Sequence, residues 1–256
     1  MNPKLYVLSR PNFEEEGWRR FLGERGLLPW TENEPGTPAE RLIEFAGRIC
    51  YMSFGRRQFR KTSGVYIANL IASGHESVLE HANWSFLLAD VSRAFTHQLV
   101  RHRVGFSFSQ LSQQYHDETA AEFVEPPGLS ATALHAWQEA TEAARRAYRT
   151  ILEQAGLAEA SHGKETTRAL RSAARSVLPN ATATVIAVTA NARALRHFLR
   201  LRGALEGDIE MRLVSRLIYD LLLSDAPILV GDFSLRRLAD GSPCIEKDQH
   251  LRAAAE

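Results

Sequence analysis

Apolar positions along this chain recur mostly at helical spacing, broken by a few β-branched or aromatic runs. Residues 4–10, KLYVLSR, predict a short strand ended by Pro11. The connector 31–38, TENEPGTP, is rich in turn residues, and Thr37 followed by Pro38 predicts a helix start. Helices are expected over 38–51 and over 64–73, the second stopping at Gly74. The aromatic and aliphatic run 81–90, HANWSFLLAD, predicts a strand, and helical spacing returns over 92–103. Arg101, His102 and Arg103 then close an apolar-periodic helix, and a loop of small, aromatic and amide residues follows. A long Ala-rich helix is expected over 131–156, and another over 164–178 ends at Pro179. TATVIAVTA (182–190) predicts a β-branched strand leading into helices at 191–202 and about 206–224. Many helices with few, non-alternating strands predict an α+β fold.

Composition narrows the picture. The 256 residues suffice for one large domain or two small ones, with 45% apolar and 24% charged residues. A formal net charge of +1 argues against a dedicated nucleic-acid binder. Two cysteines, Cys50 and Cys244, indicate neither a disulfide framework nor a paired-cysteine zinc site. Neither a signal-peptide core nor a run of about 18 apolar residues is visible, so a soluble cytoplasmic protein without membrane contact is expected. The final stretch, 238–256, combines turn residues with a polar end and is expected to be ordered only in part.

The chemistry concentrates between residues 97 and 115. Arg101 and Arg103 sit among Leu99, Val100, Val104, Phe106 and Phe108 rather than in a solvated charge patch. Guanidinium groups partly withdrawn from water need an anion, so a phosphorylated ligand is expected, with Ser107, Ser109, Gln110, Ser112, Gln113 and Gln114 supplying further donors. In NARALRHFLRLR (191–202), Arg202 falls roughly 20° from Asn191, inside the stripe of Leu195, Phe198 and Leu199. Arg193, Arg196 and Arg200 fall on the opposite side. Arg202 therefore either holds a bound anion, or pairs with Glu206 or snorkels to water at the helix end. Asn191 reads as a helix cap or as a polar ligand edge. His75 and His81 are separated by roughly 240° on a helix and cannot share a metal as an i, i+4 pair does. No GxGxxG, GxxxxGK[ST] or GxSxG motif occurs, so neither a Rossmann or P-loop phosphate cradle nor a nucleophile elbow is expected. Cys50, in the apolar context RICY, reads as an inert buried thiol.

Seven segments together resemble the flavin-dependent thymidylate synthases. They are FAGRICY (45–51), GHESVLEHANWSF (74–86), SRAFTHQLVRHR (92–103), SQLSQQY (109–115), RSAARSVLPNATAT (171–184), NARALRHFLRLR (191–202) and DIEMR (208–212). The arginine-histidine-arginine triplet followed by a serine is specific to that family. The resemblance implies one α+β domain over 1–240, with a central, mostly antiparallel sheet flanked by helices, and a polar tail over 241–256. It implies a homotetramer with shared active sites, holding FAD and using NADPH and methylenetetrahydrofolate to methylate C5 of a uracil nucleotide. Flavin-contacting positions match Cys50, His75, Ser77, Arg101, His102, Arg103, Asn191 and His197. Nucleotide-holding positions match Gln98, Gln110, Ser112, Gln113, Arg175 and Arg202, with Ser112, Arg175 and Arg202 implied in catalysis.

Three departures stand out. Eight residues, VGFSFSQL, separate the triplet from Ser112, where the family usually has seven. Gln114 stands where an arginine is usual, and Glu206 where a histidine is usual. The first two changes fall in the loop expected over sugar and phosphate, so relaxed sugar selectivity, with UMP beside or instead of dUMP, is an expectation. Two other classes compete. A non-catalytic flavin- and nucleotide-binding homologue would be yellow yet release no methylated product. A single-strand RNA module would show no flavin and a steep salt dependence.

Overall fold

The computed structural model of the chain describes residues 1–28, 30, 35–155 and 163–248. In chain order the elements are β1 (Lys4–Ser9), α1 (Glu15–Glu24), α2 (Pro38–Tyr51), α3 (Ser63–Ala72), β2 (Asn83–Ser92), α4 (Arg93–Leu99), β3 (Phe106–Gln110), α5 (Ala131–Gln154), α6 (Lys164–Ala174), β4 (Ala183–Asn191), α7 (Ala192–Arg202), α8 (Ile209–Asp225), β5 (Phe233–Arg237) and β6 (Pro243–Lys247). Four strands form an antiparallel sheet in the order β1-β2-β4-β3, flanked by helices, and β5 and β6 form a separate antiparallel pair. The architecture is α+β, as expected.

Local chemistry sets most of the boundaries. Thr37 and Glu40 form a reciprocal capping box with Pro38 in the first turn of α2, satisfying two N-terminal donors. Side chains of Thr62, Ser92, Ser130, Asn191 and Asp208 cap α3, α4, α5, α7 and α8 in the same accepting role. Burial alternates along β2, where Trp84, Phe86 and Leu88 are sealed, and along β4, where Thr184, Ile186, Val188 and Ala190 are.

Contacts divide the chain into two compact units. The first comprises Met1–Lys4, Leu87–Arg101 and Phe108–Ala187. Its helices α5 and α6 close on Tyr148, Leu152 and Ala174, with Ile151, Leu170 and Leu178 around them. The second comprises Leu5–Phe86, His102–Ser107 and Val188–Glu256. One of its cores is aromatic, Trp18, Trp30 and Phe54 packing with Phe13, Phe21 and Phe45 around Leu22. Elsewhere in that unit β6 hydrogen-bonds to the end of α7, Ile245 N donating to Gly203 O at 2.9 Å.

Several expectations shift. The triplet does not end a helix: α4 stops at Leu99, and residues 101–103 lie in the following turn. The expected loop begins instead as β3, because Phe106 and Phe108 alternate with Ser107 and Ser109 at strand period. The strand expected at 81–90 begins two residues later, after a 3-10 turn at Glu76–His81. Helix α1 is not predicted by the sequence pattern, because its apolar residues are few and follow an acidic start. Within the last stretch, Pro243–Lys247 is a strand. Residues 31–34 of the connector, residue 156 of the long helix and residues 249–256 of the tail lie outside the described residues.

Candidate active site

In the first unit several of the expected nucleotide residues lie along the chain that leaves β3, while Arg202 belongs to the second unit. Gln110, its last residue, donates from Nε2 to Thr96 Oγ1 at 3.0 Å and to Thr184 Oγ1 at 3.4 Å, which turns its amide toward α4 and β4. Arg93, the first residue of α4, donates to Leu111 O at 2.8 Å, and Leu111 N donates to Val185 O at 3.0 Å. These bonds fix where Ser112 starts its turn. Its hydroxyl accepts from Gln114 N at 3.3 Å, and its carbonyl accepts from His116 N at 2.9 Å. The Gln114 side chain donates to Ser172 Oγ on α6 at 3.4 Å. Arg171 on the same helix donates to Tyr115 O at 2.6 Å, and Arg168 lies over the Tyr115 ring. Gln98 is half-buried on α4, and Gln113 is buried with its amide beside the Glu118 carboxyl.

Arg175 occupies the switch from α6 into a single 3-10 turn, half-buried. Among the described residues no carboxylate or carbonyl takes its guanidinium. Its charge lowers the Arg93 pKa further, after burial, while Glu118 pulls the other way. Glu118 itself is 4% exposed, its Oε1 sealed without a hydrogen bond and 3.9 Å from His116 Nδ1. Burial pushes its carboxyl above the usual range, opposed by His116, Arg93 and Gln113. Arg93 thus stands between the like charge of Arg175 and the reluctant carboxylate of Glu118, and Arg175 keeps a charge that suits an anion. A cavity of about 400 Å³ elsewhere in this unit, lined by Trp137, Gln138 and Arg145 among others, includes none of the expected site residues.

The second unit holds most of the expected flavin residues. His102 is 8% exposed, its ring set against Phe198, Phe106 and His197 at 5.1, 5.9 and 6.2 Å between centroids. Arg202 Nε donates to His102 Nε2 at 3.1 Å. Burial first, then Arg202 and His197, holds the His102 pKa down to about 4. The imidazole is therefore neutral near pH 7. His197 is exposed and bonded to Arg200 at 3.0 Å, and burial, Arg200 and Arg193 lower its pKa against Glu76. His75, Ser77 and Arg103 are exposed, with no side-chain partner among the described residues. Arg101, in the first unit, is exposed and unpaired in the same sense. Unpaired cations, hydroxyl and imidazole are the donor set that an anionic dinucleotide requires.

Some readings are corrected. Within the triplet the histidine, not either arginine, is the group withdrawn from water. On α7 the fully buried guanidinium is Arg196, 4% exposed, not Arg202, which is half-buried. Arg196 makes two bonds to Asp232, at 2.7 and 2.8 Å, and another to Leu229 O. Its carboxylate partner comes from a distant segment that helical spacing cannot anticipate. Arg202 has no ion pair with Glu206. Asn191 takes the capping role, accepting from Ala194 N at 2.8 Å. Cys50 is exposed, its thiol turned back to Ala46 O, rather than buried. Arg93, Thr96, Ser172 and Glu118 were missed as organisers of the first cluster. Arg93 carried a signal, since it stands one helical turn before His97.

Residues 35–228 match the family model described as thymidylate synthase complementing protein. Flavin-dependent thymidylate synthases from Mycobacterium bovis and Mycobacterium tuberculosis are each 42% identical over 220 residues, covering 84% of this chain and 87% of theirs. The enzyme of that name from Mycolicibacterium gilvum is 43% identical over the same shares. With this extent of match, the chain belongs to the thymidylate synthase complementing protein family, that of the flavin-dependent thymidylate synthases.

Proposed function

We propose that the protein methylates C5 of uracil in a nucleoside 5′-monophosphate, dUMP, UMP or both. Methylenetetrahydrofolate is the carbon donor, NADPH the reductant and FAD the flavin, in a cytoplasmic homotetramer with shared sites. The flavin, when bound, supplies the hydride that completes the methyl group. His75, Ser77, Arg101, Arg103 and His197 would hold it, with the exposed Cys50 thiol and the Asn191 amide at its edge. The unpaired side chains of His75, Ser77, Arg101 and Arg103 fit an anionic dinucleotide.

The remaining chemistry belongs to this chain's own side chains. Arg175 clamps the phosphate with Ser112 and the Gln113 and Gln114 segment, and Gln110 and Gln98 orient the sugar. Arg202 donates to a uracil carbonyl and so stabilises negative charge on that oxygen when the ring is activated as a C5 nucleophile. The observation that carries this reading is the Arg202 guanidinium, whose charge no described carboxylate neutralises. An absorbance spectrum of the purified protein tests for flavin, and turnover is then compared for dUMP and UMP with both co-substrates. Flavin with methylated product from either nucleotide supports the reading, and flavin without product identifies a non-catalytic homologue. A dUMP preference above about a hundredfold, roughly 2.7 kcal/mol, removes UMP as a substrate.

A further inference from the structure

The triplet's histidine has a task apart from flavin binding. We propose that His102 is a positioning residue for Arg202: its Nε2 lone pair takes the Arg202 Nε–H and leaves both terminal amino groups for the uracil nucleotide. This rests on the reading that Arg202 holds that nucleotide.

Geometry supports it first. The bond is 3.1 Å long, and the imidazole cannot swing away because Phe198 and Phe106 flank it. Both partners are tied to one helix. Arg202 is the last residue of α7, while the loop carrying His102 is pinned to the cap of that helix. There Asn191 N donates to Gly105 O at 3.1 Å, and Gly105 adopts φ +75°. A Cβ at Gly105 would lie 2.6 Å from Asn191 Nδ2 and 2.8 Å from Ala194 Cβ, so the loop has no room to drift. The first turn of α7 thus sets where the imidazole meets the guanidinium at its far end.

Protonation supports it second. An Nε2 that accepts must carry a lone pair, which places the proton on Nδ1. The depressed pKa of His102 keeps that tautomer neutral across the ordinary working range. A carboxylate in the same place would hold Arg202 equally well and cancel its charge. The imidazole holds it and leaves the charge for the ligand.

The experiment uses the flavin-loaded, full-length protein and titrates dUMP by calorimetry, with flavin content and melting temperature read in parallel. His102→Phe keeps an aromatic ring but loses the acceptor, and His102→Gln restores an acceptor oxygen. We expect His102→Phe to weaken dUMP binding roughly ten- to a hundredfold with flavin retained, and His102→Gln to recover most of that loss. In the His102→Phe/Arg202→Ala double variant, the histidine change should add nothing to the loss from Arg202→Ala. Additive losses, unchanged affinity in His102→Phe, or loss of flavin with nucleotide binding intact would each overturn the proposal. Unchanged dUMP binding in Arg202→Ala alone would instead remove the nucleotide assignment of Arg202. If His102→Phe does not fold, the ¹⁵N spectrum of the wild-type imidazole still tests the idea. An Nδ1–H tautomer supports it and an Nε2–H tautomer sinks it.

Discussion

Two arginines on the same helix illustrate two uses of one charge. Arg196, in the middle of α7, is sealed in the second unit and gripped by the Asp232 carboxylate. Arg202, at the end of α7, is half-buried and held by a neutral imidazole. The first pattern repeats in that unit. Arg48 bonds to Glu44 at 2.7 Å with both groups sealed, and Arg212 bonds to Ser242 and to Asp240, the latter at 3.2 Å. The second pattern recurs in the first unit, where Arg93 is held by a backbone carbonyl and Arg175 has no partner among the described residues. A guanidinium matched to a carboxylate has its charge spent on the fold. One matched to a neutral acceptor keeps it for a ligand.

The strongest way to break this division is to remove a carboxylate. Asp232→Ala strands Arg196 as an uncompensated buried cation, a change expected to cost about 3–5 kcal/mol of stability. Chemical denaturation measures that loss, and dUMP affinity per folded molecule should stay within about twofold of wild type. A variant of unchanged stability but altered nucleotide affinity would reverse the roles assigned to the two ends of α7.

Arg202→Ala should give the mirror result. Loss of a charge-assisted bond to the nucleotide costs about 1.5–3 kcal/mol of binding, whereas stability changes by less than about 1 kcal/mol because no ion pair is broken. Equal losses of stability and affinity would show that Arg202 also supports the fold.

How far the sequence reveals this division depends on where each partner lies along the chain. Element positions were legible where period and caps agree, as for α2 with its Thr37 and Pro38 start and for β4 with its β-branched run. The site residues were legible through local motifs such as RHR and SQLSQQY. Partners were not. Helical angles placed Arg196 toward water and Arg202 in the apolar stripe, because Asp232 and His102 reach α7 from other segments. Residues 106–110 read as loop because their serines and glutamine carry little strand propensity, yet pairing in the sheet supplies what propensity lacks.

The neutral acceptor also predicts an acid sensitivity. His102 protonates at about 4 in the folded state against an ordinary value of 6.5, so the unfolded chain binds more protons between those pH values. Its contribution is therefore full above about pH 6.5, declines as pH falls toward 4, and changes no further below that. Burial depresses its pKa most, followed by the charges of Arg202 and His197. After allowance for solvent screening the loss is of order 2 kcal/mol. Stability curves of wild type and His102→Phe should converge on acidification across this window. Parallel curves would mean that His102 is not held neutral.

The smallest expected effect sharpens the comparison from the first unit. Gln114 spends its amide on Ser172 at 3.4 Å, a long bond that an arginine could give up. Gln114→Arg would add another cation beside Arg168 and Arg171, in a unit where Arg93 and Arg175 already disfavour one another. Without nucleotide this repulsion should lower the melting temperature slightly, by the equivalent of about 0.5 kcal/mol. With nucleotide the sign reverses, since a phosphate would bridge the added guanidinium, and dUMP and UMP should each bind roughly fivefold tighter, about 1 kcal/mol. Calorimetric titration of both nucleotides, beside melting curves with and without dUMP, separates the two terms. Tighter binding with no apo penalty would mean that Arg93 and Arg175 are already well screened. An apo penalty with no gain in affinity would mean that position 114 faces away from the phosphate, which would then be left to Arg175 and its neighbours.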